Sequence, residues 1–226
     1  TTSTILDATS NNNDGTKKAA NQPAEATGKV GKGQDFDGSD DYIVVGDDNT
    51  LDLINFTIES VAYLHNFEVT SSQSFLVAKG VYPDYNYRLV ASDSSGNGVF
   101  ETGAKIDGTL RSVHTTTGYN TNTWYHVVGK FDGTDLKVFI DGTQDGTGNY
   151  TGSAATNTAD VYLGKYSGGN YNVDGLQDEI RISSTARSAA WIAATYSSLW
   201  DNLLTYGSEE TESVDETNVL FIFSNF

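Results

Sequence analysis

The segment WYHVVGKFDGTDLKVFIDG, residues 124–142, reads as two β-strands punctuated by turns. Leu136, Val138 and Ile140 alternate with Lys137 and Phe139, the period of two that puts one strand face in a core and the other outside. Asp-Gly pairs close each run, and Asp-Gly is a strong signal for a tight β-turn. The same grammar recurs in DYIVV (Asp41–Val45), FTIESVAYL (Phe56–Leu64), QSFLVAKG, YNYRLVASD, GVFETG, DVYLGKY and GLQDEIRIS. Further Asp-Gly pairs fall at 37–38, 107–108, 145–146 and 174–175. In FTIESVAYL, Phe56, Ile58, Ser60, Ala62 and Leu64 share a face, so this strand is expected to have one buried side. One helix is expected, in SAAWIAATYSSL, with Ser188 as N-cap and Trp191, Ile192, Thr195, Tyr196 and Leu199 on one side, covering an edge or end of the sheets. No long βαβ alternation appears. These features predict an all-β fold: a two-sheet antiparallel jelly-roll sandwich with one short helix near the C-terminus.

At 226 residues the chain suits one large β domain. It has no Cys, which excludes a disulfide framework or a thiolate metal site. The formal charge of −17 argues against nucleic acid and anionic membranes, whose recognition needs clustered Lys and Arg. Hard cations and weakly charged carbohydrate are better matched partners. No apolar run approaches the roughly 20 residues that span a bilayer, so no membrane insertion is expected. The chain reads as secreted, extracellular or cell-surface. With no Met present, Thr1 reads as a processed or truncated start. NFT at Asn55 and NYT at Asn149 fit the N-glycosylation pattern.

Taken in order, DATSNNNDGT, GKVGKGQDFDGSDDYIVV, WYHVVGKFDGTDLKVFIDG, VYLGKY and GLQDEIRISSTARSAAWIAATY resemble a laminin-G-like, concanavalin-A-like jelly roll of the bacterial and archaeal type. The resemblance covers about residues 2–210. It departs at the start. Such domains open with an apolar first strand before the Asp-containing loop, and here only TTSTIL precedes Asp7. A segment of that character stands at the other end, in NVLFIFSNF. The expected organisation is a jelly roll lacking its first strand over 1–210, an acidic linker over 211–217 and a complementing strand over 218–226. Val219, Leu220, Phe221, Ile222 and Phe223 would be the complementing side chains. They would fold back in cis or enter the groove of a neighbouring copy.

DATSNNNDG packs Asp7, Asn11, Asn13 and Asp14 into eight residues, the oxygen-rich composition that suits Ca²⁺. The resemblance implies Ca²⁺ held by Asp7, Asn11 and Asn13 of this loop with Asp178 of QDEIRI, which the strand period puts on the face of Ile180 and Ile182. In FDGSDDY, Asp37-Gly38 reads as a turn with Asp40 and Asp41 exposed. His65, His114 and His126 have no ligand spacing, and His126 reads as structural.

No catalytic signature is present. The Glu-x-Asp-x-x-Glu strand motif of glycoside hydrolases on this fold is absent, and Asp178 and Glu179 read as lying on opposite faces, unable to flank one glycosidic bond. Tyr82, Tyr85, Tyr87, Tyr119, Tyr166 and Tyr171 fall in or near loops where a jelly roll could present a sugar platform. Two non-enzymatic readings follow. One is a Ca²⁺-stabilised structural subunit that assembles head to tail with copies of itself by strand donation. The other is a Ca²⁺-dependent carbohydrate-binding or adhesion module.

Overall fold

The computed structural model describes residues 3–67, 73–94 and 97–202. The proposed linker over 211–217 and the strand residues Val219, Leu220, Phe221, Ile222 and Phe223 lie outside the described residues.

The strands, in chain order, are β1 (Thr4–Ile5), β2 (Gly15–Lys17), β3 (Ala24–Thr27), β4 (Lys32–Asp37), β5 (Ile43–Val45), β6 (Phe56–Asn66), β7 (Gln73–Lys79) and β8 (Tyr87–Ser94). They continue as β9 (Asn97–Ile106), β10 (Thr109–His114), β11 (Trp124–Phe131), β12 (Asp135–Ile140), β13 (Thr143–Asn149), β14 (Val161–Leu163) and β15 (Asp174–Ser183). Helix α1 (Ala189–Leu199) follows. Among the described residues one sheet has the order β1-β2-β5-β14-β7-β8-β9-β10 and the other β13-β12-β11-β6-β15-β4-β3, with antiparallel pairing throughout. This is the expected jelly-roll sandwich.

The core follows the strand period. Phe56, Ile58, Ala62 and Leu64 from one sheet join Leu76, Leu89, Ala91 and Phe100 from the other in a single cluster, with Val127, Leu136 and Val138. Asp107-Gly108 and Asp141-Gly142 take positive φ at both residues and turn the β9–β10 and β12–β13 hairpins. The pairs at 145–146 and 174–175 lie inside β13 and β15 instead, so Asp-Gly marks turns at only some of its positions.

The expectation of one buried side for β6 is overturned. Thr57, Glu59 and Val61 are as buried as the core-facing set. The chain leaving β15 crosses this outer face. Thr57 Oγ1 donates to Thr185 O at 2.9 Å and accepts from Arg187 N at 2.8 Å. Glu59 Oε2 meets His126 Nε2 at 2.9 Å, so His126 is a structural partner in a dry site. Ser188 caps α1 as expected, its Oγ accepting from Trp191 N at 3.1 Å. The helix lies on the sheet's outer face rather than at an edge, with Ile192 packed on Val128 and Phe139.

Candidate functional site

The outer face of the larger sheet carries a groove of about 850 Å³. Strand alternation builds its floor. In β8, Leu89 and Ala91 point into the sandwich, so Val90 and Ser92 point out. In β9, Phe100 points in, leaving Val99 and Glu101 out. Gln73, Ser92 and Val99 are successive cross-strand neighbours, and Glu101 stands opposite His114. Thr115, Thr116 and Thr117 form one wall and Tyr171 another.

Both walls are held from behind. Asp145 accepts from Thr116 Oγ1 at 2.6 Å, Tyr119 Oη at 2.6 Å and Thr117 N at 3.2 Å, which fixes the threonine segment. Burial works to raise the Asp145 carboxyl, but the hydrogen bonds from Thr116, Tyr119 and Thr117 outweigh it and hold it below its ordinary value. On the other side, Phe75, Tyr85, Tyr166 and Tyr171 form an aromatic cluster, with Phe75 stacked on Tyr166 at 5.0 Å and Tyr171 edge-on to Tyr166 at 5.3 Å. The Arg88 guanidinium lies 5.1 Å from the Tyr85 ring centre and pairs with Glu101. The floor carboxylate is thereby held in place by an ion pair.

Amides of Gln73 and Asn97, hydroxyls of Thr116 and Thr117, and the Glu101 carboxylate offer donors and acceptors beside an aromatic edge. Ligand pockets of roughly 300–1,000 Å³ combine shape with a few such polar groups.

Of the six tyrosines read as a sugar platform, the structure uses them differently. Tyr87 is in the main core, Tyr85 and Tyr166 are buried beneath the groove wall, and Tyr119 is tied to Asp145. Tyr171 lines the groove, and Tyr82 is exposed with its N–H on Tyr166 Oη at 2.9 Å. Gln73, Glu101 and the Thr115–Thr117 wall escaped sequence reasoning. Their only signal was polar residues at the outward positions of apolar strands, followed by HTTTG.

Of the four residues assigned to Ca²⁺, Asp7, Asn11 and Asn13 lie between β1 and β2 and Asp178 lies in β15. Asp7 Oδ2 accepts from Asn13 N at 2.9 Å, and its two oxygens also take the Thr9 N–H and hydroxyl at 2.8 Å. Asn11 is exposed, its N–H on Thr9 Oγ1 at 3.2 Å. Asn13 Nδ2 reaches Thr50 Oγ1 at 2.9 Å. Asp178 belongs to the smaller sheet, where Oδ2 accepts from Val30 N and Oδ1 from Glu179 N, both at 2.8 Å. Asp178 also ends the strand alternation: Glu179 sits at φ 47° in a bulge, so the period-two placement of Asp178 with Ile180 and Ile182 does not hold.

FDGSDDY departs most from its reading. Asp41 is 4% exposed, not a surface residue, because the loop folds its carboxylate inward to accept from Asp37 N at 3.0 Å.

A two-sheet jelly roll with a polar, aromatic-walled groove on one outer face defines a lectin-type sandwich. The chain belongs to the concanavalin A-like lectin/glucanases superfamily, whose laminin-G-type model matches residues 37–193. No curated protein sequence is significantly similar. Among solved structures the chain is similar to domain 4 of AbnA, an extracellular GH43 arabinanase from Geobacillus stearothermophilus, in complex with arabinotriose. That match has 19% identity and a TM-score of 0.63, covering 79% of this chain and 86% of that one. A Bacteroides ovatus protein named for carbohydrate binding by assignment only matches with 19% identity and TM-score 0.55, over 71% of this chain and 45% of that one. The binding domain of Paraclostridial Mosquitocidal Protein 1 matches with 16% identity and TM-score 0.65, over 86% of this chain; the chain spans about half of its length, 49%. No helix among the described residues is long and apolar enough to cross a membrane.

Proposed function

We propose that the protein is a non-catalytic carbohydrate-binding module, acting outside the cell or at its surface, that holds a weakly charged oligosaccharide in the groove walled by Tyr171 and Thr115–Thr117. The groove itself is the observation that carries this reading. Its polar groups converge beside an aromatic edge, and its walls are braced before any ligand arrives, which lowers the cost of ordering on binding. The arabinotriose complex of a similar domain and the Bacteroides neighbour support the ligand class. Calorimetry with arabino-, xylo- and gluco-oligosaccharides tests it. At least one series is expected to bind, with Tyr171→Ala and Gln73→Ala each weakening it by roughly tenfold, the equivalent of 1.4 kcal/mol. Binding that survives both substitutions, or no binding to any series, overturns the reading.

A second reading is favoured by β15. Its first half pairs on both sides, with β4 ending at Gln177, whereas among the described residues Arg181–Ser183 pairs with β6 alone. Ile180 and Ile182 are partly buried against the core beside this open side. We infer that Val219, Leu220, Phe221, Ile222 and Phe223 add as a strand along this edge in a neighbouring copy, building a head-to-tail assembly. Native mass measurements test it: polymers of the full chain should vanish on deletion of residues 217–226 and on Phe221→Asp. A full-length protein that stays monomeric at high concentration sinks this reading and leaves the groove untouched.

A further inference from the structure

The loop between β4 and β5 gathers three carboxylates, Asp37, Asp40 and Asp41, each with an oxygen within 4.8 Å of the others. That spacing is the most that two oxygens can have across one Ca²⁺, whose ligands sit at about 2.3–2.6 Å. Acidic loops are common on a chain this negative, so the cluster alone decides nothing. Two buried oxygens decide more. Asp41 Oδ1 is buried with no hydrogen-bond partner, although Asp41 Oδ2 is satisfied by Asp37 N. Asn172, 2% exposed, donates its Nδ2 to Ser39 O in the middle of the same loop, and its Oδ1 is likewise buried without a donor. Turning the amide over would set two oxygens against each other at Ser39 and leave the same excess of acceptors. Leaving a buried acceptor unpaired is unfavourable, and two of them attached to one loop call for a group that takes oxygens.

We propose that Asp37, Asp40 and Asp41, with the neighbouring oxygen of Asn172, form a site for a hard divalent cation of the Ca²⁺ class.

The local charge agrees. Three carboxylates face the Lys18 ammonium, which pairs with Asp40, and Asp41 also interacts with the buried ammonium of Lys17. The carboxylates still outnumber the ammonium groups, a divalent ion would offset that excess, and Lys18 is its built-in competitor. The loop is already pinned for the purpose, with Gly38 N on Val173 O at 3.0 Å and Ser39 N and Asp40 N on Asp37 Oδ1. An ion here would tie β4–β5 to residues 172–173, directly after Tyr171 of the groove wall. The site is separate from the Asp7 loop and does not depend on what the groove binds.

The test uses Tb³⁺ as a Ca²⁺ surrogate on the full chain, at an ionic strength that suppresses diffuse binding to the acidic surface. Tyr42, next to Asp41 and 5.7 Å from Tyr162, supplies the light-harvesting ring. Wild type is expected to give sensitised emission that Ca²⁺ displaces. Asp41→Asn, of the same shape, should abolish the displaceable signal; Asp40→Asn, at a half-exposed position whose variant is expected to fold, should weaken it by roughly tenfold. Lys18→Gln should tighten it by a similar factor, because it removes the competing cation; a merely structural Lys18–Asp40 pair predicts no gain. Asp7→Asn should leave it unchanged. Affinity left unchanged by Asp40→Asn, a signal lost in Asp7→Asn, or emission that never appears overturns the proposal.

Discussion

Asp132 shows how much a single carboxylate contributes when a turn is built around it. Its Oδ1 accepts from Asp135 N and Thr134 Oγ1 at 2.9 Å, and Oδ2 lies 3.2 Å from Lys130 Nζ. Burial alone would raise the carboxyl, but these donors prevail and hold it at about 2, against an ordinary 3.8. The folded value is depressed, so the stabilisation is complete above the unfolded value and drains away as pH falls from about 4 towards 2. The shift corresponds to about 2 kcal/mol at neutral pH. Asp132→Asn should therefore lower the unfolding free energy by about 1–2 kcal/mol near neutrality, with the gap to wild type closing near pH 2; urea titrations at both pH values check it. Asp178 supports a second residue-scale prediction. With Val30 and Glu179 N–H groups on its two oxygens, Asp178→Ala should cost about 1–3 kcal/mol in calcium chelator as well as in Ca²⁺. A Ca²⁺-induced rise in Tm of wild type that disappears in the variant would instead assign Asp178 to a metal.

At the scale of elements, legibility tracked how local the cause was. The α1 N-cap and the hairpins at Asp107-Gly108 and Asp141-Gly142 are set by a few adjacent residues, and they lie where the chain announced them. The outer face of β6 did not announce itself. Thr57 and Glu59 look like solvent residues, and only the return of residues 185–192 across them makes a second layer. Asp41 misled for a more local reason: its own loop turns the carboxylate inward to accept from Asp37 N. The groove was half legible: Tyr171 could be named, but Gln73, Glu101 and Thr116 meet only through cross-strand register. The second layer makes α1 a stability element. Ile192→Ala removes the one fully buried helix side chain over Val128 and Phe139, and should cost about 2–5 kcal/mol. Ser188→Ala should cost about 1 kcal/mol. Denaturant midpoints of the two variants would test the ranking; equal small losses would mean that the helix is only loosely attached.

For the whole molecule the governing quantity is charge. Thirty acidic side chains against thirteen basic ones leave −17 on a sandwich whose interior is apolar. Most of those among the described residues are at least partly exposed, and they repel one another over a Debye length of about 30 Å at 0.01 M salt and about 10 Å at 0.1 M. The buried pairing of Lys79 with Asp47, 2.5 Å, and Asp52, 3.3 Å, is shielded from that screening and should contribute alike in both. Net self-repulsion destabilises the compact state, so Tm should rise by several degrees as NaCl is raised between those two concentrations. A fall in Tm would mean that exposed pairs such as Lys32–Glu25 outweigh the repulsion. Glycan binding in the groove should behave differently. A neutral oligosaccharide releases no counterions, so its affinity should hold steady across the same salt range while stability climbs. Measured together, the two curves separate a ligand recognised by shape and hydrogen bonds from one drawn in by the acidic surface. An affinity that falls with salt in step with the screening length would identify the ligand as a cationic one.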